Sequence, residues 1–222
     1  MPTGLTDEQL MIQTMAGDFA REVIAPGAMK RDESKEFPAD IFKRMGELGL
    51  MGMTIPPEHD GSGADTVSYV LALSEIAYAC ASTAVVMSVH SSIVSESILR
   101  YGSEDQKKRF LSPMARGEII GAFALTEPNA GSDPSRQQAR AMRLDDHYII
   151  NGTKRFITTG RNAGLVIVTA KTDDTKRHGG ISAFIVTRDN PGYTCSKQEK
   201  KNGAAGLGYG GFGLRRLSST GG

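Results

Sequence analysis

The chain has 222 residues, with 26 lysines and arginines against 25 aspartates and glutamates, a formal net charge of +1, and 39% hydrophobic residues. That length allows one large or two small domains with a proper buried core, and the near-neutral balance offers no global field to attract nucleic acid or an anionic membrane. Two cysteines far apart in sequence, Cys80 and Cys195, exclude a disulfide scaffold and a thiolate-only zinc site and point to a reducing compartment. The first twenty residues show no basic stretch leading into an apolar core, and no apolar run reaches the ~20 residues of a membrane span. A soluble, cytoplasmic protein is therefore expected.

In residues 5–24, Leu10, Met11, Ile12, Met15, Phe19, Val23 and Ile24 recur at helical spacing. Thr6 and Gln9 stand in capping-box positions, and Pro26 is read as a stop. Phe37-Pro38 opens a shorter helix with Ile41, Phe42, Met45 and Leu48 facing inward, ending at Gly49. The run Pro56-Pro57-Glu58-His59-Asp60-Gly61-Ser62-Gly63 reads as a loop without regular structure. Asp65 or Thr66 can cap a helix through Val67, Val70, Leu71, Leu73, Ile76 and Ala77. Ser82 can start another through Val86, Val89, Ile93, Val94, Ile98 and Leu99, apolar on more than one face and so central in a bundle. Ser103 and Gln106 repeat the capping-box pattern before a fifth helix over residues 104–116. Residues 1–117 thus read as an all-helical domain.

Beyond Gly117 the hydrophobic period falls from about 3.6 to about 2, in short β-branched runs over 119–125, 138–144, 148–150, 155–158, 165–170 and 181–187. Asp145-Asp146, Asn151-Gly152 and Asp189-Asn190-Pro191-Gly192 read as turns between or after them. Helices first and strands afterwards argue for two segregated units and against a Rossmann arrangement. Residues 118–201 are taken as the β-domain. Residues 202–222, with eight glycines among 21 positions, are taken as an aberrant low-complexity tail. Within that tail Gly206 to Gly211 spells G-x-G-x-x-G, but with no strand expected before it and too little chain after it a dinucleotide loop is rejected. His59, His90, His147 and His178 show no metal-ligand spacing, so no metal is expected. Met45, Met51 and Met53 are assigned to the interior and Cys80 to a helix junction.

The segment Phe123-Ala124-Leu125-Thr126-Glu127-Pro128-Asn129-Ala130-Gly131-Ser132-Asp133 runs from a strand into small and hydrogen-bonding residues, where backbone can approach a flat ligand. On composition alone a turn that merely ends a strand is the stronger reading. The segment nevertheless resembles the flavin-binding signature of the acyl-CoA dehydrogenase family. Asn151-Gly152-Thr153-Lys154-Arg155-Phe156-Ile157-Thr158-Thr159-Gly160 resembles the same family's second motif, in order and at the expected distance. The resemblance runs over roughly residues 5–201 and is greatest to short-chain or butyryl-type members.

What the resemblance implies is an α+β chain in which an N-terminal all-helical domain precedes a β-barrel-like middle domain, the family's C-terminal four-helix domain being missing. It implies FAD as cofactor, contacted by Phe123, Leu125 and Thr126 and by Phe156, Ile157 and Thr158, with Ser132 on the acyl-CoA near its thioester. The implied reaction is α,β-dehydrogenation to the trans-2-enoyl thioester: a carboxylate takes the α-proton and the β-hydrogen leaves as hydride to the flavin. The family's base lies in the C-terminal domain, so no catalytic base is assigned here, and Glu127 is expected to be structural. Electron-transfer flavoprotein as electron acceptor and a homotetramer are implied likewise. An inactive flavin- or CoA-binding remnant and a flavin monooxygenase on the same scaffold are the competing readings.

Overall fold

A computed structural model describes residues 4–176, 179–198 and 210–220, which divide into two compact units, one ending at Ile119 and the other beginning at Ile120. The first unit is helical. Helix α1 (Asp7–Phe19) is capped by Thr6, whose hydroxyl accepts from Gln9 N at 3.2 Å while the Gln9 side chain accepts from Thr6 N at 3.0 Å. These two bonds satisfy donors that the first helical turn leaves open. Pro26 does not stop the chain. It occupies an early position of a single 3₁₀ turn (Ala25–Gly27), where its missing N–H removes no bond, and α2 (Ala28–Ser34) follows after a π-helical turn at Ala20–Ile24.

Helix α3 (Ala39–Glu47) buries Ile41, Phe42 and Met45, as the spacing predicts, but Leu48 is exposed because the helix has already ended at its C-cap there. The neighbouring Leu50, Met51 and Met53 enter the core instead. Gly46 is required on this helix: a Cβ there would lie 2.1 Å from the Arg116 carbonyl oxygen. In the following loop Pro57–His59 makes one 3₁₀ turn, so the segment is not wholly irregular.

Helix α4 (Thr66–Ala79) is capped by Asp65, which accepts from Val67 N at 2.7 Å and Ser68 N at 3.0 Å. Its buried stripe is Ser68, Tyr69, Ala72 and Ile76, while Val67 and Val70 are exposed, so the inward face is turned from the one the valines suggest. Beside that stripe, Gln13 on α1 donates to Glu75 on α4 at 2.9 Å and ties the two helices together. Then α5 (Ala81–Ser88), a π-helical stretch (Val89–Ser95) and α6 (Glu96–Tyr101) form one continuous helical run. This run carries buried Thr83, Met87, His90, Ser91, Val94 and Ile98, as a central helix should. Helix α7 (Glu104–Ala115) has the expected Ser103–Gln106 capping box and buries Phe110, Leu111 and Met114.

The second unit is a seven-stranded sheet: β1 (Gly121–Ala124), β2 (Arg140–Leu144), β3 (His147–Ile157), β4 (Leu165–Lys171), β5 (Ile181–Thr187), β6 (Tyr193–Gln198) and β7 (Gly210–Thr220). The order is β1-β4-β2-β3-β7-β6, with β5 on the other edge of β4. Strand β1 takes most of one edge of β4 and leaves β2 a single residue pair with it, Arg140 with Lys171. The sheet therefore has ends and is not a closed barrel. Strand β4 is buried along nearly its whole length, as its Leu-Val-Ile-Val run requires. It packs with Ala122, Ala124, Ala139, Ala141, Ile150, Ile157, Phe184 and Val186 into one core, against which the Tyr148 ring meets Phe184 at 5.1 Å.

Three expectations change in this unit. Asn151-Gly152 is no turn but the middle of β3, where the register against β7 shifts between Ile150 and Gly152. Glycine is needed for packing, since a Cβ at Gly152 would lie 2.4 Å from Ala139 Cβ. Residues 193–198 form an unforeseen strand. Residues 210–220, expected to lie outside the fold as a tail, pair with both β3 and β6; the rest of the G-x-G-x-x-G run lies outside the described residues. The Asp145-Asp146 turn is as read, with Asp145 at φ 53° and Leu144 facing His147. Among the described residues no helix is long and apolar enough to cross a membrane, and no cluster of His, Cys, Asp or Glu could hold a metal ion.

His90 gives the helical unit a pH dependence. Burial pushes its pKa from 6.5 down to about 4, while the ring's hydrogen bonds to the Met114 and Met51 backbone pull the other way. Between those two values the unfolded chain binds a proton that the folded chain does not. Stability is full above about pH 6.5 and falls by roughly 3 kcal/mol as pH drops to 4. Urea denaturation followed from pH 7 to 4 should show this loss, with a smaller slope in His90→Asn. Separately, Gly152→Ala should lower stability by about 1–3 kcal/mol through the clash with Ala139.

Candidate functional site

The polar centre of the second unit is Lys154, on β3 and fully buried. Its inward direction follows from strand alternation: Ile150, Gly152 and Lys154 share a face, so an ammonium is carried to where an aliphatic group would otherwise sit. Four acceptors surround Lys154 Nζ: Glu127 Oε1 at 2.9 Å, Gln137 Oε1 at 2.9 Å, the Leu125 carbonyl at 3.0 Å and Thr169 Oγ1 at 3.3 Å. Glu127, also buried, accepts further from the backbone N–H groups of Gln138 and, at 3.0 Å, Ala139. Thr169 donates to Gln137 Oε1 at 2.9 Å. Burial draws the Lys154 ammonium below its ordinary pKa, and the hydrogen bond and charge of Glu127 act in the opposite direction.

This cluster joins the two sequence motifs. Lys154 ties the end of β1 through the Leu125 carbonyl, and Arg155 N donates to the Thr126 carbonyl at 2.8 Å. The segment after Thr126 is pinned by reciprocal backbone bonds between Glu127 and Ala130, at 2.9 and 3.2 Å. Phe123, Leu125 and Thr126 are half-buried, and the Thr126 hydroxyl makes no bond to a described residue. Gly131 and Ser132 are exposed, with nothing within 4 Å of where a Gly131 Cβ would be; next to them Asp133 accepts from Ser135 N at 3.1 Å, holding the loop's exit.

Beyond Lys154 the β3–β7 register slips again: Lys154 faces Phe212 and Ile157 faces Gly210, so β3 carries one residue more than its partner. The extra length is absorbed at Phe156, whose φ of 56° is unusual for an aromatic residue and turns its ring outward, 55% exposed, with the Arg155 guanidinium 5.5 Å from the ring centre. Ile157 turns the other way, into the core, so only its backbone faces the motif's outer side. Thr158 is half-buried with its hydroxyl unused by described residues. The turn closes on Gly160, whose carbonyl accepts from Tyr193 Oη and, at 3.1 Å, Cys195 Sγ.

Four site features thus come together, namely Leu125, Thr126, Phe156 and Thr158, while Ser132 lies on the loop that Glu127 anchors. Gln137 and Thr169 belong to no motif, and Lys154 enters the sequence analysis only as one position of the second motif. The signal for Lys154 was present, a lysine in phase with inward-facing Ile150.

Comparison with known proteins follows the same division. The family model for the acyl-CoA dehydrogenase N-terminal domain matches residues 6–118, and that for the acyl-CoA dehydrogenase middle domain matches residues 122–216, which takes in most of β7. A short-chain specific acyl-CoA dehydrogenase of Clostridium acetobutylicum is 42% identical over 203 residues, 91% of this chain and 54% of its own. Butyryl-CoA dehydrogenase from Megasphaera elsdenii superposes with a TM-score of 0.95 at 37% identity, over 99% of this chain and 58% of its own. A glutaryl-CoA dehydrogenase from Mycobacterium smegmatis, solved in complex with FADH2, gives 0.91 at 33% identity, over 97% and 54% of the two chains. The chain spans about half the length of the relatives it matches. With both family domains matched in order, and the Lys154-centred cluster joining the two motif segments within the second of them, the chain belongs to the acyl-CoA dehydrogenase family.

Proposed function

We propose that this chain holds FAD and an acyl-CoA thioester for α,β-dehydrogenation to the trans-2-enoyl-CoA. The carrying observation is the clamp that sets Leu125–Thr126 beside Phe156–Thr158 and leaves the hydroxyls of Thr126 and Thr158 without described partners. That donor set fits a flavin: two hydroxyls for a polar ring edge, an outward aromatic face at Phe156, and apolar Phe123 and Leu125 alongside. FAD, when bound, supplies the acceptor for the β-hydrogen. Ile157 would serve through its backbone, its side chain being committed to the core. Ser132 would orient the thioester end of the ligand.

Glu127 is excluded as the proton-abstracting base by its surroundings, because Lys154, Gln138 N and Ala139 N occupy its oxygens. Its work is to hold the loop that positions Ser132. Electron-transfer flavoprotein as acceptor and a homo-oligomeric assembly, as the family resemblance implies, and a cytoplasmic setting, as the sparse cysteine usage suggests, complete the proposal.

FAD titration of the purified chain, followed by flavin fluorescence, tests the reading; absence of uptake would sink it. Thr126→Val and Thr158→Val should each weaken FAD binding by about 1 kcal/mol, roughly fivefold. Butyryl-CoA added with a dye acceptor then separates turnover, seen as bleaching, from binding alone. Lys154→Met should cost about 3–5 kcal/mol of stability by stranding the buried Glu127 carboxylate. A Lys154→Met chain as stable as the parent would refute the clamp.

A further inference from the structure

The turn that follows β3 is strained. Thr159 is fully buried at φ 59°, a left-handed conformation that a β-branched residue rarely adopts, and it comes three residues after Phe156 at φ 56°. Thr158 therefore stands between two residues in unfavourable backbone conformations. Asn162 N and Ala163 N donate to the Thr159 carbonyl at 2.7 and 2.8 Å, Gly160 N donates to the Ile157 carbonyl at 3.2 Å, and the Thr159 hydroxyl donates to the Thr158 carbonyl at 2.6 Å. All four bonds lie within residues 157–163, so they shape the turn without tying it to a strand other than β3.

A tie of that kind comes from β6. Tyr193 and Cys195 are two residues apart on that strand and so share a face, and both donate to one atom, the Gly160 carbonyl oxygen, the thiol at 3.1 Å. That oxygen has two lone pairs, and two donors meet it. Burial raises the pKa of the Tyr193 hydroxyl and of the Cys195 thiol, so each keeps its proton at neutral pH and can donate. The Tyr193 ring packs against the core of the sheet unit, and Tyr193 N donates to the Asn190 carbonyl at 2.9 Å, so the hydroxyl is delivered from a fixed base. One residue beyond Gly160, Arg188 donates to the Arg161 carbonyl at 2.5 Å and reinforces the hold.

We infer that Tyr193 is a positioning residue of the flavin site: its hydroxyl, seconded by the Cys195 thiol, holds the strained turn so that the Thr158 hydroxyl stays aimed at the polar edge of the flavin. The aim of Thr158 at a flavin rests on the function proposed above; the hold on the turn does not. Without the Tyr193 hydroxyl the buried Gly160 carbonyl loses a donor, and Thr159 is free to relax towards an ordinary backbone conformation. Rotation there swings the adjoining Thr158, so a group on β6 acts on the ligand through a residue it does not touch.

FAD titration of the full chain, read by flavin fluorescence and by the absorption spectrum of the bound flavin, tests this together with amide hydrogen exchange of the ligand-free chain. Tyr193→Phe keeps the ring in the core and removes only the hydroxyl. It should weaken FAD binding roughly fivefold, alter the bound flavin's spectrum, and speed exchange at Gly160, Asn162 and Ala163 while leaving β4 as protected as before. Cys195→Ala should do the same more weakly, a thiol being the poorer donor. Because Tyr193 acts through Thr158, its effect on FAD affinity should vanish in a Thr158→Val background and persist in full in a Thr126→Val background. An equal loss in both backgrounds would show a merely structural contribution and overturn the positioning role. So would an FAD affinity that Tyr193→Phe leaves unchanged in a chain that binds FAD. Turn exchange unaffected by Tyr193→Phe would overturn the assignment whether or not the parent chain binds FAD. A parent chain that takes up no FAD, with exchange still faster in the turn alone in Tyr193→Phe, would uphold the hold on the turn and place the failure in the proposed function.

Discussion

The buried pair of Lys154 and Glu127 is the interaction on which the sheet unit's functional surface depends. Removing two ions from water carries a penalty of several kcal/mol each, and their mutual attraction offsets it only when the remaining hydrogen-bonding capacity is also met. Here it is met. The ammonium faces four oxygens, and the carboxylate accepts from two backbone N–H groups as well. Because those partners come from the end of β1, the loop at 127–139, β3 and β4, none can move far without leaving a charge unpaired. An aliphatic pair of equal volume could fill the space, but would not fix the direction of the Leu125 carbonyl or the loop that carries Ser132.

The second constraint lies two residues further along. The β3–β7 mismatch places an extra residue just after Lys154, and Phe156 takes it up in a backbone conformation that costs of order 1–3 kcal/mol for a residue with a side chain. Ile157 in the core on one side and Lys154 on the other hold that conformation in place. The consequence is a break in strict alternation: Phe156 and Thr158 face outward around an Ile157 that is locked inward. A single stretch of strand thereby serves as core and as ligand surface, without a flexible loop between them.

Local chemistry was the legible part of the sequence. The capping boxes at Thr6 and Ser103, the Asp65 cap, the Asp145 turn and the β4 run each depend on neighbours within a few residues, and each is found where read. What escaped depends on partners distant in sequence. Asn151-Gly152 has the composition of a turn, yet its glycine is needed because Ala139 presses against it across the sheet. Val67 and Val70 look like the inward face of α4, but the buried face is Ser68, Tyr69, Ala72 and Ile76, with Gln13 of α1, distant in sequence, bonded to the neighbouring Glu75. The glycines of residues 210–220 hide a strand whose pairing is supplied by β3 and β6 rather than by its own side-chain pattern.

The site was partly legible for the same reason. Thr126, Phe156, Thr158 and Ser132 could be placed by motif resemblance, whereas Gln137 and Thr169 lie in no motif and matter only through the lysine they solvate. Gln137 shows why such residues cannot be replaced piecemeal. Its carbonyl oxygen completes the shell of Lys154, and the same residue lines a polar cleft with Ser135, Arg136, Gln138, Arg140, Lys171 and Asp174. A substitution that kept its volume but lost the amide would remove an acceptor from the ammonium and a polar group from the cleft at once. Gln137 therefore carries the charged core of the sheet unit to its polar surface through a single side chain.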